Sequence, residues 1–168
     1  MKPTASTPKA SKIKGGSIGF DLKQLRKNPD MVRNLSKALQ KISRSGRMQT
    51  IQAIKRGVAY TTFEILQKEI GVPREALAKT VNIASRTLHR RKQEGKFRSD
   101  ESERIYRAAR LFDRTLALFD GDIDQARSWF NTSKKALGGK TPMEFADTEL
   151  GAQEVLDLIG RLEHGVFS

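Results

Sequence analysis

The run Ser85-Arg86-Thr87-Leu88-His89-Arg90-Arg91-Lys92 gathers hydroxyls, guanidinium forks and an imidazole within about two helical turns. A guanidinium matches the two acceptors on a guanine edge, and hydroxyls beside the free amides of a helix start match phosphate oxygens. The chemistry on offer is recognition of a polyanion, not bond cleavage. Residues 85–98 hold six basic groups against Glu94 alone, with Lys96 and Arg98 completing the set. Two other runs suggest catalysis without carrying it. Glu163-His164 has no nucleophile or metal ligand beside it, and a histidine at a helix end is favoured by the helix dipole. Gly138-Gly139-Lys140-Thr141 resembles the end of a phosphate-binding loop, but Lys134 and Lys135 stand where that loop needs its first glycine. The chain has no cysteine, which removes thiol nucleophiles, disulfides and thiolate zinc sites. Its two histidines, His89 and His164, are far apart in sequence. No cofactor loop or metal set is present, so an enzyme is not expected.

The elements around the basic run have the logic of a helix-turn-helix. Thr61 and Glu64 read as a capping box for a helix that buries Ile65, Leu66 and Ile70 and stops at Gly71. Pro73 suits the first turn of the next helix, which presents Ala76, Leu77 and Val81 to a core, with Ala78 small where helices cross closely. Asn82 occupies the turn, where asparagine tolerates a left-handed backbone, and Ser85 caps a third helix ending at Gly95. Ile83 and Leu88 are its apolar anchors. At about 100° per residue, Arg86 and Arg90 lie nearly opposite Leu88, with Thr87 and His89 flanking them. Arg86 and Arg90 are therefore the expected readers of base edges, and Ser85 and Thr87 the expected phosphate ligands. Arg91 and Lys92 project nearer the core, so their stems should cover it while their heads reach the DNA backbone.

The 168-residue chain sorts by charge. Residues 1–59 carry a net +12, residues 60–98 a net +5 and residues 99–168 a net −4. A basic front suits a polyanion and an acidic back suits a different partner. Residues 1–20 contain too few apolar side chains to offset ordering entropy and read as a flexible basic arm. Residues 21–59 contain a helical pattern through Met31, Leu35, Ala38, Leu39 and Ile42, then a short helix from Met48 to Arg56 closed by Gly57. These helices are too small to fold alone and are expected to pack on the helices after residue 59 or on a second copy. Residues 60–98 form the helix-turn-helix region.

Residues 99–168 read as a further helical unit. A helix capped by Asp100 presents Ile105, Ala108, Ala109, Phe112, Leu116 and Phe119. Asp122 with Gln125 restarts a helix carrying Ala126, Trp129 and Phe130, broken at Leu137-Gly138-Gly139. Thr141-Pro142-Met143-Glu144 is a second capping box, and a last helix from near Gly151 carries Ala152, Val155, Leu156, Ile159 and Leu162. Trp129 reads either as core or as an interface anchor. Strand signals and repeats are absent, so the expected fold is all-α. No apolar run reaches the ~20 residues of a membrane span, and no secretory leader is evident, which points to the cytoplasm.

The order and spacing of several short segments resemble the antitoxins of the Xre, MbcA and ParS type. They are the SRTLHRR run from Ser85 to Arg91, Ser102-Glu103-Arg104, Phe119, Ala126 with Trp129, Leu137-Gly138-Gly139 with Thr141-Pro142, Gly151, Val155, Arg161 and His164-Gly165. The resemblance covers about 60–168. It implies a helix-turn-helix core that represses its own operon and a C-terminal domain that neutralises a RES-domain toxin, an NAD⁺-consuming enzyme. It implies also that the C-terminal end packs at or into the toxin's cleft, which puts Arg161, Glu163, His164 and Gly165 in the blocking segment. Trp129 and the corner from Gly138 to Pro142 would shape the domain presenting that segment. Antitoxin dimers are the family's building unit. Phe130 and Asn131-Thr132 depart from the family pattern, which commonly has leucine and proline there.

Together these features imply a DNA-binding antitoxin, with operator DNA, a RES-domain toxin and a second copy as partners and no cofactor. The alternative is a plain helix-turn-helix regulator whose C-terminal domain binds another protein.

Overall fold

The computed structural model describes residues 47–165; the expected arm at 1–20 and the helix from Asp30 lie outside them. Among the described residues every regular element longer than three residues is an α-helix: α1 Arg47–Arg56, α2 Tyr60–Ile70, α3 Arg74–Thr80, α4 Ser85–Glu94, α5 Ser99–Leu118, α6 Ile123–Asn131, α7 Pro142–Phe145 and α8 Glu149–Glu163. A 3₁₀ turn at Lys135–Leu137 joins α6 to α7. The all-α expectation holds, with helix-turn-helix elements first and a smaller helical unit after them.

The first unit is held by aromatic packing. Phe63, Leu66 and Ile70 fall on one face of α2 and are fully buried with Leu77, Val81, Ile83, Leu88 and Phe97. The rings of Tyr60 and Phe97 stack at 5.5 Å, and Phe63 lies 5.9 Å from Phe97. The Thr61 capping box does not form: α2 begins two residues earlier than that cap requires, after Ala59, and no side chain caps it. Its entry is fixed instead by a tertiary pairing, in which the Tyr60 N–H donates to Gly95 and the Phe97 N–H to Val58. Local chemistry lost to packing there. Similarly α4 follows Ala84, so Ser85 is its first helical residue rather than its cap. The turn before it behaves as expected, with Asn82 at φ +50° and the Ile83 N–H donating to the Ala78 carbonyl at 2.8 Å.

The long α5 is common to both halves of the molecule. Its start is set not by Asp100 but by Glu101, whose carboxylate accepts the Arg98 N–H at 2.9 Å. Ile105, Ala108, Leu111 and Phe112 form its buried face, while Leu116 and Phe119 are only partly covered. The inward stripe is thus rotated slightly from the expected one. Asp122 caps α6 by accepting from the N–H groups of Asp124 and Gln125, each at 3.0 Å. Thr141 and Glu144 form the second capping box as expected. Thr148 caps α8, so that helix starts two residues before Gly151. Gly151 is required for another reason: a Cβ there would sit 1.9 Å from the Phe145 carbonyl oxygen. Val155 and Ile159 of α8 join the core beside α5, and Arg107–Glu149 (2.7 Å) and Arg114–Glu163 (2.8 Å) pair across the two helices. Their order makes α8 run parallel to α5.

The two halves meet where α2 ends. Arg127 of α6 donates to the carbonyls of Glu69 (2.7 Å) and Lys68 (2.9 Å), and Asn131 donates to Ile70 (3.0 Å). These bonds satisfy carbonyls that a helix C-terminus leaves orphaned. Beneath them the Glu69 side chain is buried, with Oε1 unpartnered. Burial pushes its carboxyl up to about 7, opposed by Arg127 and reinforced by Asp113. An acid that binds its proton more tightly when folded contributes stability at low pH. That contribution is lost as pH rises from the unfolded value toward 7, by up to about 3 kcal/mol. Glu69→Gln is therefore expected to raise the thermal midpoint at pH 8 and to change it little at pH 5. A Glu69→Gln midpoint no higher than wild type at pH 8 would contradict this account.

Candidate functional site

The recognition helix α4 divides by exposure. Leu88 and Arg91 are buried; Ser85, Arg86, His89, Arg90, Lys92 and Gln93 are exposed, and Thr87 is half-buried. Leu88 anchors α4 in the core it shares with Ile83 and Leu77, and this sets which way the outward residues point. Arg86 and Lys92 have no ion-pair partner among the described residues. Arg90 lies 3.8 Å from Glu94 with both side chains half-exposed, a contact worth little against solvent. His89 lies 3.3 Å from Gln93. Lys96 continues the basic row just past Gly95, in the stretch that pairs with residues 58–60.

Arg91 corrects the sequence expectation. It is 2% exposed and cannot reach a DNA backbone. Its guanidinium donates to both oxygens of Glu101, at 2.6 and 3.0 Å, and to Glu94. The hydrogen bonds to Glu101 raise its already high pKa against the opposing effect of burial. Burial alone would raise Glu101, but the bonds from Arg91 and the Arg98 N–H hold its carboxyl below the ordinary carboxylate range. Arg91 is thus a strut from α4 to the first turn of α5. Glu101 is the residue that sequence reasoning missed. An arginine three residues after the buried Leu88, with an acid opening the next helix, was the available signal.

The expected partner-binding residues lie toward one end of α5. Trp129 is half-buried, its ring 6.5 Å from Phe119 and covered by the Lys134 ammonium at 5.3 Å. Burial pushes the Lys134 amine down. Arg161, His164 and Gly165 are exposed at the end of α8. Glu163 is engaged within the chain, accepting from Arg114 at 2.8 Å, so it holds α8 to α5 rather than standing free. His164 is the C-cap of α8, as a helix-end histidine should be. Among the described residues no hydrogen bond, ion pair or ring contact joins Trp129 to Arg161, His164 or Gly165. Among the described residues no cluster of His, Asp or Glu is placed to hold a metal.

Comparison with known proteins decides what this arrangement belongs to. A family model for the antitoxin Xre-like helix-turn-helix domain matches residues 49–110. One for the antitoxin Xre/MbcA/ParS C-terminal toxin-binding domain matches residues 114–165. A protein named Antitoxin Xre from Yersinia enterocolitica is 41% identical over 119 residues, 70% of this chain and 80% of that protein. The chain belongs to the Xre antitoxin family. Another Antitoxin Xre, from Photorhabdus laumondii, is 37% identical over 116 residues, 68% of this chain and 78% of its own. A third, from Pseudomonas putida, is 30% identical over 66 residues, 39% of this chain and 41% of its own. This Xre-type antitoxin is a helix-turn-helix regulator. Its two matched regions meet inside α5, between residues 110 and 114. No described helix is long and apolar enough to cross a membrane.

Proposed function

We propose that this antitoxin works in the cytoplasm as a dimer, blocks a RES-type NAD⁺-consuming toxin with residues 99–168, and represses its own operon through residues 60–98. Residues 21–59 would contribute to the dimer. The observation that carries the reading is that a toxin-binding region comes directly after a helix-turn-helix, on a chain whose charge reverses between them. A cleft that binds a dinucleotide diphosphate favours electropositive walls, and the acidic region complements such walls. Arg161, His164 and Gly165 would fill the cleft, with Glu163 fixing the helix that carries them and Trp129 shaping the flank.

On the DNA side Arg86 and Arg90 would read base edges. Ser85, Thr87, His89, Lys92 and Lys96 would contact the backbone or its neighbouring edges, and Arg91 would hold the helix at its angle. Arg86→Ala and Arg90→Ala are each expected to lose ~1–3 kcal/mol of discrimination between the operator region and a scrambled duplex. Lys92→Ala should weaken both duplexes alike, because a phosphate contact positions without specifying. Titration of each variant on both duplexes tests this. Equal losses on both for the two arginines would place base reading elsewhere.

A further inference from the structure

The last turn of α1 ends in Lys55 and Arg56, both exposed, and α1 contains no acidic residue. Neither cation is paired with a carboxylate among the described residues, nor is Lys96. Their position is set by the close approach of residues 57–60 to residues 95–97. Gly57 has φ +86°, and a Cβ on it would lie 2.1 Å from the Phe97 carbonyl oxygen. The Phe97 N–H donates to Val58 at 2.9 Å, Ala59 bridges to Lys96, and the Val58 N–H donates to the Ser102 hydroxyl at 2.9 Å. The end of α1 is therefore fastened to the exit of the recognition helix. Beside Arg56 a shallow groove of about 280 Å³ is bounded by Ala53, Gly57, Val58, Ala59 and Thr62.

Helix length says what faces this exit. The ten residues of α4 span about 15 Å, whereas the major groove is about 12 Å wide. A recognition helix that enters by its N-terminal residues must carry its C-terminal end out toward the phosphate ridge at the groove's edge. Lys96 lies two residues past that end, and Lys55 and Arg56 lie in the turn fastened beside it. We propose that Lys55, Arg56 and Lys96 form a phosphate clamp, a second DNA contact outside the recognition helix that grips the backbone without reading sequence. The clamp rests on the proposed DNA binding by α4 and adds α1 to it.

The test uses the full chain, a duplex from upstream of its own gene and a scrambled duplex of equal length, titrated at several salt concentrations. Each phosphate contact contributes about 0.9 to the slope of log affinity against log salt. The double variant Lys55→Gln/Arg56→Gln should lower the slope by about 1.8, and Lys96→Gln by about 0.9. The losses should be equal on the two duplexes, with discrimination kept. Unchanged slopes, or losses confined to the upstream duplex, would overturn the clamp. Arg86→Ala serves as the separate arm: full discrimination retained by that variant would overturn the base-reading role of α4 whatever the slopes show. Unfolding midpoints should match wild type because all three side chains are exposed; a large drop would mark them as structural and overturn the clamp.

Discussion

Arg91→Ala is expected to cost about 3–5 kcal/mol of folding stability, because it strands the buried Glu101 carboxylate without its partner. A chain of this size has only about 5–15 kcal/mol in total, so the unfolding midpoint should fall sharply. Glu101→Ala should be comparably damaging, as it leaves a buried guanidinium with Glu94 alone. Arg90→Ala, one residue earlier on the exposed face, should change stability by no more than about 1 kcal/mol. The double variant Arg91→Met/Glu101→Leu should recover most of the loss, since an apolar pair of similar volume carries no desolvation penalty. Denaturant unfolding of the four variants checks the series. Equal, small losses for Arg91→Ala and Arg90→Ala would contradict the strut. The strut also explains why so basic a helix can be held firmly: a single inward arginine is neutralised by the first turn of α5.

Much of this architecture was legible from residue types. Asn82 at the left-handed turn, Asp122 as a cap, the Thr141–Glu144 box and the helix stop at Gly57 all depend on local chemistry, and all appear as expected. What was not legible depends on contacts distant in sequence. The start of α2 is fixed by its pairing with Gly95 and Phe97, which overrides the hydroxyl of Thr61. The burial of Arg91 depends on Glu101, ten residues on and in another helix. The grip of Arg127 and Asn131 on the end of α2 spans about 60 residues, beyond the reach of any periodicity. At the candidate site, the angular sorting around Leu88 placed Arg86, His89 and Arg90 outward as they are found. It failed at Arg91, where an inward-leaning cation met a buried acid rather than solvent, and at Lys92, which is exposed rather than leaning on the core.

Removal of residues 161–168 is expected to abolish toxin neutralisation and to spare DNA binding. Of the described part of this stretch, Leu162 is half-buried, Glu163 pairs with Arg114, and Arg161, His164 and Gly165 are exposed. The core contributions of α8, from Ala152, Val155, Leu158 and Ile159, precede the cut. The helix-turn-helix core lies in α2 to α4 and the first turns of α5, and among the described residues no backbone hydrogen bond outside the helices or ion pair joins it to residues 161–165. The stability lost should be that of one partial leucine and one half-exposed ion pair, about 1–2 kcal/mol. Arg161→Glu in the full chain gives the same reading without truncation, because that side chain is exposed and has no ion-pair partner among the described residues. The sign change should weaken toxin neutralisation and leave the operator titration unaltered.

The most direct measurement is NAD⁺ depletion by the proposed RES-domain partner, tracked as full-length or truncated antitoxin is added, with operator binding titrated in parallel. Full-length protein is expected to stop NAD⁺ consumption once it reaches stoichiometric amounts. The truncated protein should bind the operator with wild-type discrimination and leave NAD⁺ consumption running. Full inhibition by the truncated chain would move the blocking surface to the region of Trp129. NAD⁺ consumption untouched by the full-length chain would contradict the proposed partner altogether.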